Sequence, residues 1–134
     1  MKLFCSYAHT GEDIDEATRR MRLVVDTLNG NGHDAYCNLF DEKIVQLQVN
    51  DDITGIFQGA FDRVRQSDAM VAIIASPRRS IGQIMEIGVA LDHNKPVYLL
   101  EHQSAEGSSY ISRLVDRHFQ WNDESELELA LAKI

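Results

Sequence analysis

The chain is expected to fold as an α/β three-layer sandwich around a five-stranded parallel sheet, and three observations carry that expectation. Ala69-Met70-Val71-Ala72-Ile73-Ile74-Ala75 is an unbroken apolar run, as in a central strand covered on both faces. Other short apolar segments alternate with stretches whose apolar residues recur every three or four positions, the period of one helical face. Such alternation implies parallel strands joined by right-handed crossovers, a flavodoxin-like architecture. The 134 residues suit one domain, 1–134, with a core of its own.

Leu3–Tyr7 reads as the first strand, and Thr10-Gly11-Glu12-Asp13 supplies turn and helix-start chemistry. Ile14, Ala17, Met21, Val24 and Leu28 mark the buried face of a first helix, which Gly30 and Gly32 end. Asp34–Leu39 is expected as a second strand. Asp41–Asp51 shows no convincing period and is expected as a loop. Ile53, Ile56, Phe57, Ala60 and Val64 form the stripe of a second helix. After the apolar strand, Ser76-Pro77-Arg78-Arg79 reads as a loop and Gly82–His93 as a helix stopped by Asn94 and Pro96. Val97–Leu100, a short helix over Ser109–Val115, a strand at His118–Trp121 and a helix over Glu124–Ile134 complete the pattern.

Thirteen basic residues against 21 acidic ones leave a net charge of −8, which argues against nucleic-acid polymers and anionic membranes as partners. A small phosphorylated ligand stays open, because a helix N-terminus with one or two arginines can hold it. Cys5 and Cys37 fall in expected strands, outside any Cys-x-x-Cys or Cys/His cluster, and read as buried free thiols of a reducing compartment. The polar residues that follow Met1–Cys5 leave no signal-peptide core, and no apolar run reaches membrane-spanning length. The expectation is a cytoplasmic protein. The sequence holds no Walker A motif, no Gly-x-Gly-x-x-Gly after the first strand and no zinc spacing, and its five histidines are scattered. Neither a metal nor a cofactor is expected.

Glu86 stands out. It lies in the early turns of the helix that follows the buried strand, where open α/β sheets place their ligand crevices. A surface glutamate favoured near a helix N-terminus is the alternative on residues alone. Ser6 and Tyr7 end the first strand and face the same crevice in a flavodoxin-like sheet, and Arg78 and Arg79 form a basic doublet beside it.

The pattern of Asp68, apolar strand, Ser80-x-Gly82-x-x-x-Glu86-Ile87-Gly88-x-Ala90, then Asn94-Lys95-Pro96-Val97 resembles the nucleoside 2-deoxyribosyltransferase family. Within that family it looks like the 2′-deoxynucleoside 5′-monophosphate N-glycosidases. Leu3-Phe4-Cys5-Ser6 and the stretch from Gln103 to Ser109 are similar too, so the resemblance spans most of the chain. It implies that Glu86 attacks the anomeric carbon and displaces the base, leaving a glycosyl ester for water or another base to release. Gly82 and Gly88 would let the sugar approach and the helix pack closely. Ser80 would hold a 5′-phosphate at the helix N-terminus with help from Arg78 and Ser6, and Ser109 would reach the phosphate of a neighbouring subunit, which implies a homodimer. Tyr7 would orient the carboxylate.

The family's usual acid, an aspartate eight residues before the one that opens the central strand, falls here on Ala60. Asp62 is the nearest substitute on the same helix, although it lies about 200° around from Ala60, and Asp51 or Asp52 at that helix's start is the other candidate. Two other readings follow: a nucleotide-binding module without catalysis, or a Toll/interleukin-receptor-like domain that cleaves NAD or mediates interaction. Phe4-Cys5-Ser6-Tyr7-Ala8-His9 is reminiscent of that family's first strand.

Overall fold

In the computed structural model, which describes every residue except His9, Glu106, Ser108 and Ser109, five parallel strands form one sheet in the order β2-β1-β3-β4-β5. They are β1 (Lys2–Tyr7), β2 (Asp34–Tyr36), β3 (Ala69–Ile74), β4 (Val97–His102) and β5 (Arg117–Trp121). The helices are α1 (Ile14–Gly30), α2 (Glu42–Val49), α3 (Ile53–Gln66), α4 (Ile81–Asp92) and α5 (Glu124–Leu131). Register runs Leu3 against Ala69 to Tyr7 against Ile73, and Met70 against Val97 to Ile74 against Glu101. The expected sheet and its flavodoxin-like layering are present.

Strand alternation divides the core. Leu3, Cys5, Val71, Ile73 and Leu100 pack on α1 and α5 through Met21, Val24, Leu28, Leu127 and Leu131. Phe4, Met70, Ala72, Ile74 and Leu99 face α3 and α4, meeting Ala60, Val64, Ile87 and Ala90. β3 is buried at all of its residues, which is why its sequence shows no alternation. Leu28 is fully buried at the centre of the first layer. Leu28→Ala is expected to cost about 2–5 kcal/mol, read as a lower urea midpoint with an unchanged slope.

Three segments differ from expectation. Residues 41–51 are mostly helical. Asp41 caps α2 by accepting from the Lys43 N–H at 2.9 Å, and Ile44 is the one buried residue of the helix, too few anchors to leave a readable period. β2 ends at Tyr36 rather than Leu39, so Cys37 lies just beyond it and Asn38–Phe40 form a 3₁₀ turn. The helix expected over 109–115 is a single 3₁₀ turn, Ile111–Arg113. Ile53, placed on the buried stripe of α3, is 58% exposed. Among the described residues no helix is long and apolar enough to cross a membrane.

Candidate active site

β1 lies between β2 and β3, so the chain reverses its direction of travel across the sheet there, and a crevice opens at the carboxyl ends of these strands. A cavity of about 360 Å³ occupies it. Ser6 and Tyr7 enter from the end of β1, Ser80, Gly82, Gln83 and Glu86 from α4, and Ile56, Phe57 and Ala60 from α3.

Helical geometry sets Glu86 in place. Ser80 caps α4, accepting the Gln83 N–H at 3.4 Å. Gln83 lies one turn before Glu86 and is tied to the sheet by donating its amide to the Ile73 carbonyl at 3.0 Å. Glu86 is only 9% exposed, and Ser6 Oγ donates to its Oε1 at 2.7 Å. Burial pushes the carboxyl up to about 7, against the smaller downward pull of the Ser6 hydrogen bond. Tyr7 is raised to about 12, first by burial and then by the charges of Cys37 and Glu86. The Cys37 thiol is also raised to about 12, mainly by burial, and Cys5 is raised further by the same cause. Both thiols are free and buried and therefore poor nucleophiles. Glu86 is the one carboxyl group among the described residues that line the cavity.

The N-terminus of α4 is adjacent. The first N–H groups of a helix have no intrahelical partner, and those of α4 open at Ile81 and Gly82 on the cavity wall. Arg78 stands outside the described cavity lining; it borders a smaller depression beside Arg79 and Ser80. Its side chain lies across Gly11, where a Cβ would come within 2.2 Å of Arg78 Cδ and φ is +76°, so only glycine fits there. The two loops that rim the crevice are thereby packed on each other.

The structure brings Glu86, Ser6, Tyr7, Ser80 and Gly82 together. It leaves Asp62 on the exposed side of α3, paired with Arg65 at 2.9 Å, while Ala60 one turn after Phe57 meets the cavity with a methyl group. Ser109 lies outside the described residues. A Cβ at Gly82 would make ordinary contact with Phe57 at 3.5 Å, and one at Gly88 would meet nothing within 4 Å. The close helix packing expected at Gly88 is therefore absent. Asn38, Gln48 and Gln83 also line the cavity and were not singled out from sequence. Gln83 was findable as the residue on the Glu86 face one turn earlier. Gln48 comes from the segment without a readable period, and Asn38 from the end of the expected second strand, which is a 3₁₀ turn instead. The Asn38 Oδ1 is shut off from solvent with no hydrogen-bond partner.

The model of the family described as "Nucleoside 2-deoxyribosyltransferase" matches residues 8–122. Among solved structures, the CMP N-glycosidase BcmB of Clostridium botulinum superposes with a TM-score of 0.70 at 20% identity, covering 98% of this chain and 97% of its own. A 2-deoxyribosyltransferase of Bacillus psychrosaccharolyticus gives 0.70 at 17% identity, covering 96% and 90%. A conserved protein of Enterococcus faecalis gives 0.59 at 16%, covering 99% of each chain. No curated protein matches. The structural likenesses speak for the fold, and the family match over most of the length, on a chain with a buried glutamate at the sheet's switch point, shows that this chain belongs to the nucleoside 2-deoxyribosyltransferase family.

Proposed function

We propose that the protein is an N-glycosidase that cleaves the base–sugar bond of a nucleoside 5′-monophosphate, with Glu86 as nucleophile. The observation that carries this reading is the buried Glu86 carboxylate, held by Ser6 in a cavity whose rim is the N-terminus of α4. Glu86 attacks C1′ as the C1′–N bond breaks, giving a glycosyl ester, and water then releases the sugar phosphate and restores the carboxylate. Ser6 fixes the rotamer of Glu86, and Tyr7 packs beside the pair as a positioning group. The phosphate sits against Ser80 and the first N–H groups of α4, with Arg78 close by to add long-range attraction. A CMP N-glycosidase shares the fold, which supports a nucleotide substrate; a 2-deoxyribosyltransferase shares it too, so base exchange belongs in the same assay.

Purified protein incubated with ribo- and deoxynucleoside 5′-monophosphates and free nucleosides, with and without an added acceptor base, is expected to release free base from the monophosphates, read by chromatography. Thermal stabilisation by these nucleotides without any base release would instead establish the binding module that the methyl group at Ala60 makes conceivable.

Removing the Ser6 hydroxyl takes away the one hydrogen bond that favours the ionised carboxyl. Ser6→Ala is therefore expected to move the acidic limb of the kcat/KM profile to higher pH, above about 7. An unshifted limb with lowered kcat would assign Ser6 a different part.

The reading includes a homodimer. The outer face of α4 leaves Ile81, Ile84 and Met85 exposed at 74%, 40% and 44%, and Ile84 shares a depression with Ile111 of the 3₁₀ turn Ile111–Arg113. Sedimentation velocity at micromolar concentration distinguishes dimer from monomer. Free Cys5 and Cys37 suit a reducing compartment, and we place the protein in the cytoplasm.

A further inference from the structure

We propose that the site is built for nucleotides whose base already carries a positive charge, a pyridinium or an N7-alkylated purine, because among the described residues the cavity around Glu86 offers a departing base no acid. This rests on the glycosidase reading above and narrows its substrate class.

When the C1′–N bond of a neutral nucleotide breaks, its electron pair leaves the base as an anion unless a proton arrives, and a positioned acid is worth on the order of 10²–10⁴ in rate. When the base is a pyridinium or N7-alkylated purine, the same electron pair neutralises the existing charge. The base then departs as a neutral molecule and no proton is needed. In the second step a water oxygen bonds to C1′, the ester bond to Glu86 breaks, and one proton is released to solvent. The sum is a cationic nucleotide and water giving a neutral base, a sugar phosphate and a proton, with no oxidant or further reactant.

The walls fit that chemistry. The α3 stripe that faces the cavity is Ile56, Phe57 and Ala60, apolar throughout. None of the carboxylates on and around α2 and α3 lines the cavity. Asp41 accepts from the Tyr36 hydroxyl at 2.6 Å, Asp52 caps α3 through the Gly55 N–H at 2.9 Å, Asp62 pairs with Arg65, and Glu42 and Asp51 are exposed. Glu12, in the loop after β1 and likewise outside the cavity lining, pairs with Arg20 through Oε2 at 3.6 Å, and its buried Oε1 has no partner. Tyr7, raised to about 12, is a weak proton donor. What the cavity does offer suits a cation: the Phe57 ring, whose π-face attracts positive charge.

The test compares substrates of nearly equal shape and different charge: 7-methylguanosine 5′-monophosphate against guanosine 5′-monophosphate, with nicotinamide mononucleotide and cytidine 5′-monophosphate as a second pair. Base release by the native protein is expected to favour the cationic member of each pair by on the order of 10²–10⁴ in kcat/KM, following the uncatalysed ratio that a general acid would level. Ala60→Asp, placing a carboxyl on the cavity wall, is expected to raise the rate on guanosine 5′-monophosphate while leaving the 7-methyl substrate near native, so the ratio narrows. Cleavage of neutral and cationic partners within about threefold of each other would overturn the inference while leaving the glycosidase reading intact. No release from either cationic nucleotide by folded protein would overturn the inference, and the glycosidase reading falls with it only where the deoxynucleoside 5′-monophosphates are inert as well. The native comparison decides even where Ala60→Asp fails to fold.

Discussion

Glu86→Gln is expected to lose base release by at least about 10³-fold, because a nucleophile that acts in concert with its site is removed, and the same variant is expected to be more stable than the native protein at alkaline pH. The two effects have one cause. Glu86 is buried with a single hydrogen bond from Ser6 to one oxygen, and its carboxyl is raised from 4.5 to about 7. Between those values the folded chain holds a proton that the unfolded chain has released. Stability therefore falls as pH rises through that window and stays lowered above it. The full cost above pH 7 is on the order of 3–4 kcal/mol by the linkage relation. Glutamine keeps the oxygen that accepts from Ser6 Oγ and carries no charge to desolvate. Denaturant titration of both proteins at pH 5 and pH 8.5 is expected to show little difference at the first and a higher urea midpoint for the variant at the second. A variant that is inactive and also less stable at both values would mean that Glu86 is a structural residue.

Ser80→Asp separates phosphate recognition from catalysis. Aspartate is as good an N-cap as serine, so α4 is expected to keep its start and Glu86 its place. The new carboxylate faces the pocket where the 5′-phosphate binds in our reading, and like charges set against each other cost several kcal/mol. We expect kcat/KM for nucleoside 5′-monophosphates to fall by about 10²-fold, mostly through KM, while cleavage of the corresponding free nucleosides is retained. Equal losses on both substrates would show that Ser80 supports the site without touching phosphate.

The legible parts of the molecule were those with a strong local cause. Six consecutive buried positions in β3 could only read as a central strand, and once β1 and β3 are adjacent in a parallel sheet, the end of one and the helix after the other must share a crevice. Glu86, Ser6 and Tyr7 were therefore visible before any coordinates. Asp62 was the nearest substitute acid in sequence, but two residues on a helix amount to a rotation of about 200°, and the structure leaves that side chain on the exposed face with Arg65. Asn38 and Gln48 were invisible for another reason. Gln48 sits in α2, which is anchored by the single buried Ile44, and Asn38 in the 3₁₀ turn before it, where the expected strand ends early. Cavity walls built from such segments carry little sequence signal, because few of their side chains are fixed by a core.

The measurement that bears most directly on Glu86 as a nucleophile is the anomeric configuration of the product. Run in aqueous methanol, the reaction of a β-nucleotide gives a methyl glycoside that no longer mutarotates, and proton NMR identifies its anomer. Two displacements through a Glu86 ester predict the β product, with net retention. The α product, from direct attack by solvent on the face opposite the base, would contradict the account.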